Sequence, residues 1–115
     1  MFEASYDDNN VFAKILRGQL PCDKLAENDH AIAFKDLHPK ARFHALVIPR
    51  GEYVNIHHFI RKATADEQVG FWNLVADIAE LARSDGFNTL TNTGASHGQQ
   101  VPHFHIHIMA QVKDS

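Results

Sequence analysis

The sequence predicts an α+β domain built on a five-stranded antiparallel sheet with two helices, and three observations predict it. Read in order, the apolar patterns give α-β-β-β-α-β-β with short connections. Thr64-Ala65-Asp66-Glu67 is a capping box that opens a long helix. Near the C-terminus, His103, His105 and His107 alternate with Phe104, Ile106 and Ile108, the period-two pattern of a half-buried strand.

Met1–Asn9 read as part of a loose N-terminal arm, residues 1–10. Asn9 or Asn10 can cap a short helix over Val11–Arg17, with Phe12, Ile15 and Leu16 as its apolar stripe, which Gly18 ends and Pro21 keeps from resuming. Lys24–Asn28 and Ala31–Asp36 read as strands of a hairpin, and Phe43–Pro49 is an apolar run suited to a buried central strand. Within that run His44 points either into the core or into a site. Glu52–Lys62 reads as a helical turn or a loop, with His57-His58 at the surface.

The long helix is expected to reach about Ser84 and to stop at Gly86, with Arg83 favourably placed for the helix dipole. Its apolar residues, Val69, Phe71, Trp72, Leu74, Val75, Ile78, Leu81 and Ala82, span more than the ~100° stripe that one sheet face requires. The helix is therefore either deep in the core or turns Trp72 or Phe71 toward another protomer, and we expect the second. Phe87–Asn92 reads as a strand, joined by the Gly94–Pro102 loop to the histidine strand. With no repeat, linker or low-complexity stretch, residues 1–115 read as a single domain.

Composition narrows the function. The chain has 115 residues, 44% hydrophobic and 22% charged, and a formal charge of −3 with its nine histidines neutral. No basic cluster exceeds Arg61-Lys62, which argues against a nucleic acid polymer as partner and for a small ligand. No apolar run approaches the roughly 18 residues that span a bilayer, so no membrane partner is expected. The acidic N-terminus has no secretory pattern and Cys22 is the sole cysteine, which together favour the cytoplasm.

The histidines carry the chemistry. Three imidazoles on one strand face are rarely chosen for packing, since each needs a polar partner when buried. Positions two apart on a strand lie about 6.7 Å apart, so one strand cannot easily aim all three at one ion. His103 and His105 could chelate with Asp36, His44 or His97, but nucleophilic catalysis fits better. Neutral imidazole is a nucleophile, and its neighbours can orient it or stabilise charge. The Gly- and amide-rich stretch Asn92–Gln100 can offer backbone N–H groups to phosphate. Together these suggest phosphoryl or nucleotidyl transfer, with the middle histidine, His105, as nucleophile.

His103–Met109, preceded by Gly98-Gln99, resembles the His-φ-His-φ-His-φ-φ signature of the histidine triad (HIT) family. The likeness is closest to the Hint branch of purine nucleoside phosphoramidases, and it extends from Val11 to the end of the chain. The resemblance implies a HIT-like sheet joined to that of a second protomer in a homodimer, a small purine nucleotide substrate, and no metal or other cofactor. It implies that His105 attacks the α-phosphorus, His107 hydrogen-bonds the phosphate, and His103 and a buried His44 support the site. It also implies that Asp36 holds ribose hydroxyls beside Leu37, that Val11, Phe12, Ile15 and Phe34 wall the base, and that Asn92, Gly98, Gln99 and Gln100 lie near the phosphate. Gln100 departs from the Ser or Thr common there. That departure keeps two alternatives in view: a nucleotide-binding regulatory module with little turnover, and a diadenosine polyphosphate hydrolase.

Overall fold

The computed structural model describes residues 5–111. Its centre is strand β3, Phe43–Pro49, flanked by β2 (Ala31–Lys35) and β5 (Ile106–Ala110), with β1 (Lys24–Glu27) and β4 (Asn88–Leu90) at the edges. The order is β1-β2-β3-β5-β4, and every neighbouring pair is antiparallel.

Strand periodicity divides the core in two. Ala45 and Val47 of β3, Ala31 and Ala33 of β2, and Ile106 and Ile108 of β5 face helix α3, Ala65–Leu81, where Phe71, Leu74, Val75 and Ile78 meet them. Phe59, Phe71 and Phe104 are fully buried there with ring centroids 5.0 Å apart. Each contributes on the order of 1.5–3 kcal/mol through burial. On the opposite face Leu46, Ile48, Ile32 and Phe34 pack under α1, Val11–Leu16, through Phe12, with Cys22 against the same cluster.

The capping box forms as expected: Thr64 Oγ1 accepts from Glu67 N–H, and the Glu67 carboxylate accepts from Thr64 N–H, both at 3.1 Å. The same carboxylate accepts the Tyr53 hydroxyl, and burial with that neighbour pushes the Tyr53 pKa up to about 12. Asn28 of the β1–β2 turn donates to the Gly70 carbonyl at 2.8 Å, and a Cβ at Gly70 would lie 2.7 Å from the His30 ring. The hairpin therefore docks on α3 only because that position is glycine.

Several expectations are corrected. A third helix is present: α2, Ile56–Lys62, capped by buried Asn55 and anchored by Phe59. Its His58 is not a bare surface residue, since its Nδ1 accepts from Val54 N–H at 2.9 Å. Helix α3 ends at Leu81 rather than near Ser84, because Arg83 takes a left-handed conformation (φ 53°) three residues ahead of Gly86, so Arg83 lies beyond the last turn. Phe71 is fully buried in its own protomer and cannot reach another, whereas Trp72 is 38% exposed. The N-terminal arm is not loose from Tyr6 onward: Asn10 caps α1 by accepting from Ala13 N–H, and Tyr6 bonds to His103. Residues 1–4 of that arm lie outside the described residues.

The ladder of β5 begins at Ile106, so His103 and His105 precede the strand. Pro102 has no N–H to give, and Phe104 N–H turns to the Tyr53 carbonyl at 2.7 Å. Alternation nevertheless survives, with Phe104 against α3 and the histidines on the α1 side. No helix among the described residues is long and apolar enough to cross a membrane.

Candidate active site

The histidines gather on the face that carries α1, and fixed donors and acceptors around them assign each tautomer. His107 pairs with Leu46 across β3, which makes His44 its diagonal neighbour, and His44 Nε2 lies 2.9 Å from His107 Nδ1. Lys40 N–H donates to His44 Nδ1 at 3.0 Å, so the His44 proton sits on Nε2 and is donated to His107. Asp36 Oδ2, 3.3 Å from His44 Nε2, is a second acceptor. His107 is left with its own proton on Nε2, a donor for an anion.

His105 is set the opposite way. Its Nδ1 lies 2.7 Å from the His103 carbonyl, which can only accept, so the proton is on Nδ1 and Nε2 keeps a free lone pair. Thr91 Oγ1 donates to the His105 carbonyl at 2.8 Å, and the Phe12 ring meets the imidazole edge-on at 4.9 Å. The His105 and His107 rings lie 5.1 Å apart, so a free imidazole lone pair and a hydrogen-bond donor adjoin. The side chain of His103 is bonded to Tyr6 and the Pro49 carbonyl rather than flanking His105 as the sequence suggests; its main chain orients His105.

Burial lowers the pKa of His105 and holds His103 and His107 at about 4, and all three are neutral at pH 7. If neutral His105 is the nucleophile, the acid limb of kcat/KM should lie below pH 6.5, with no loss between 6.5 and 8. A limb centred at or above 6.5 in a pH–rate profile would contradict this. Stability should fall over the same range: the unfolded chain protonates His103 near 6.5 and the folded chain only near 4, so acidification through that window favours unfolding.

Beside these groups is a cavity of about 300 Å³. Val11, Phe12, Ile15, Phe34 and Leu46 give it an apolar side, and His105, His107, Asp36, Asn92, Gly98 and Gln100 a polar one. Leu37 stands at its rim, 84% exposed. Gln99 is turned away, since its amide accepts from Gly94 N–H and donates to the Val54 and Val101 carbonyls, bracing the loop. That loop has less to offer an anion than expected. The N–H groups of Gly94, His97, Gly98 and Gln99 already have acceptors within it, which leaves the loop's other N–H groups, its polar side chains and His107 for the task.

Asp36, His44 and His107 present atoms within 4.8 Å of one another, a donor set that divalent ions take elsewhere. Here the hydrogen bonds work against it. With Nδ1 accepting from Lys40 and Nε2 protonated, His44 has no free lone pair for an ion.

A model of the HIT domain matches residues 17–114. The chain belongs to the HIT family. A HIT-like protein of Azospirillum brasilense is 46% identical over 108 residues, which cover 92% of this chain and 88% of that one. The adenosine 5'-monophosphoramidase of Schizosaccharomyces pombe is 35% identical over 99 residues, 86% of this chain and 71% of the relative. Among solved structures, a HIT-like protein of Bartonella henselae described as involved in cell-cycle regulation superimposes with a TM-score of 0.85 at 31% identity, covering 97% of this chain and 82% of that one. HIT proteins are generally nucleotide hydrolases or transferases.

Within this HIT domain, some site contacts have no signature in the sequence. The Lys40 N–H that fixes His44 and the His103 carbonyl that fixes His105 are main-chain groups, which carry no side-chain signature. Tyr6 is a lone aromatic 97 positions from its partner. Gln100 lines the cavity where Ser or Thr is common in the resemblance drawn above.

Proposed function

We propose that this HIT protein hydrolyses the P–N bond of purine nucleoside 5'-phosphoramidates, releasing AMP or GMP through a nucleotidyl-His105 intermediate. The observation that carries the proposal is the His105 tautomer: Nδ1–H is held by a main-chain carbonyl and Nε2 is free on a residue lining the cavity. The Nε2 lone pair bonds to the α-phosphorus, the P–N bond breaks, and the amine leaves with a proton from cavity water. His107 Nε2–H meets a non-bridging oxygen. The hydroxide left by that water then attacks phosphorus and the P–Nε2 bond breaks, which regenerates neutral His105. The phosphoramidase name of the S. pombe relative supports the same reaction class.

In this reading the apolar side of the cavity takes the purine and Asp36 takes ribose hydroxyls. One Asp36 oxygen already accepts His38 N–H at 2.8 Å, which holds the carboxylate in place. A substrate panel is the test: adenosine and guanosine phosphoramidates should turn over faster than diadenosine polyphosphates, with activity unchanged after dialysis against EDTA. Binding without turnover would favour the regulatory module for which Gln100 leaves room. Activity that is lost on chelation and restored by stoichiometric zinc would favour metal catalysis.

The proposal includes a cytoplasmic homodimer. Helix α3 leaves Trp72 and Val69 exposed, at 38% and 60%, and β4 is a sheet edge. Sedimentation equilibrium at micromolar concentration should give twice the 13.0 kDa chain mass, and Trp72→Glu should lower it. A single-chain mass throughout would rule the dimer out.

A further inference from the structure

Tyr6 precedes the first helix, yet its hydroxyl lies 2.6 Å from Nδ1 of His103 and its ring meets that imidazole edge-on, centroids 5.6 Å apart. His103 has no solvent exposure. Its Nε2 lies 2.9 Å from the Pro49 carbonyl, which can only accept, so Nε2 carries the proton and Nδ1 needs a donor. Tyr6 O–H supplies it. The carbonyl of the same His103 accepts the Nδ1 proton of His105 at 2.7 Å. A continuous chain of contacts thus runs from the N-terminal segment to the reacting imidazole.

We propose that Tyr6 is a positioning residue for catalysis: its hydroxyl locks the ring of His103, and the backbone of His103 in turn keeps His105 in the tautomer whose Nε2 is free. The phenol suits the task because burial raises its pKa, so it remains an O–H donor through the neutral range. The segment it steadies lies ahead of the regular ladder of β5, which begins only at Ile106, so isolated contacts rather than ladder bonds hold it. Without the hydroxyl, buried Nδ1 has no donor. The His103 ring must then rotate, or move its proton to Nδ1 and give up Pro49, and either change shifts the carbonyl on which His105 depends.

The role rests on His105 as the nucleophile of the proposed reaction, so one arm of the test needs no substrate. In long-range 1H–15N spectra of the full chain, His105 should read as the Nδ1–H tautomer and His103 as Nε2–H. In Tyr6→Phe the His103 signals should move and His105 should become a mixture of tautomers. Formation of the nucleotidyl adduct in a single turnover should slow about tenfold with KM unchanged, because aim rather than substrate affinity is lost. A Tyr6→Phe chain that melts cooperatively and keeps both the His105 tautomer and the adduct rate overturns the proposal. A second measurement avoids any folding defect: 3-fluorotyrosine in place of every tyrosine keeps the contacts and strengthens the O–H donor. It should shift the His103 nitrogen resonances, and unshifted resonances would count against the role.

Discussion

A His105→Asn chain should form no nucleotidyl adduct and should lose turnover by roughly 10⁴-fold or more, as expected when a covalent nucleophile is removed. The wild-type chain, mixed with adenosine phosphoramidate for a single turnover and quenched in base, should gain the mass of one AMP moiety on the peptide containing His103–His107. Base is needed because phosphoimidazoles are acid-labile. His103→Asn and His107→Asn should slow the adduct without removing it, since the first disturbs the carbonyl that orients His105 and the second removes a donor to phosphate. An adduct that persists in His105→Asn would move the nucleophile elsewhere.

Phe104→Ala should cost about 3–5 kcal/mol in urea unfolding, a large share of the roughly 5–15 kcal/mol that holds a domain of this size together. Phe104 is fully buried between Phe59 and Phe71, and its N–H donates to Tyr53. Its neighbours on either side are His103 and His105, so the cavity left behind loosens the segment that orients the His105 imidazole. Adduct formation should therefore slow even where the variant remains folded. A loss under about 1 kcal/mol would show that the three rings do not act as one packed unit.

The elements that were legible in the sequence are those written in side-chain periodicity. Strand β3 has the predicted bounds, and the capping box places the start of α3 at the predicted residue. Where local propensity is weak or tertiary contacts decide, periodicity does not suffice. Helix α2 depends on Asn55 as a cap and on Phe59 reaching the core, and Arg83 adopts a conformation for which glycine is the usual choice. The site divides along the same line. The side chains of His44, His105, His107 and Asp36 do converge, whereas the His103 ring turns to Tyr6 and Pro49. The groups that fix their tautomers are carbonyls, amides and Tyr6, which periodicity does not reveal.

The place of β5 in the sheet bears on how the molecule comes into being. It is the last of the five strands to be synthesised, yet it lies between β3 and β4, so until it arrives those two strands present unpaired edges to each other. The contacts that fix the histidines span the chain: His103 to Pro49 across 54 positions, His44 to His107 across 63, and Tyr6 to His103 across 97. Such distant contacts make folding slow relative to a helical bundle of equal length. They also make completion of the histidine cluster a late event in biosynthesis: a nascent chain on the ribosome can hold the hairpin and the long helix, but the cluster forms only when β5 is inserted and the N-terminal segment closes on it.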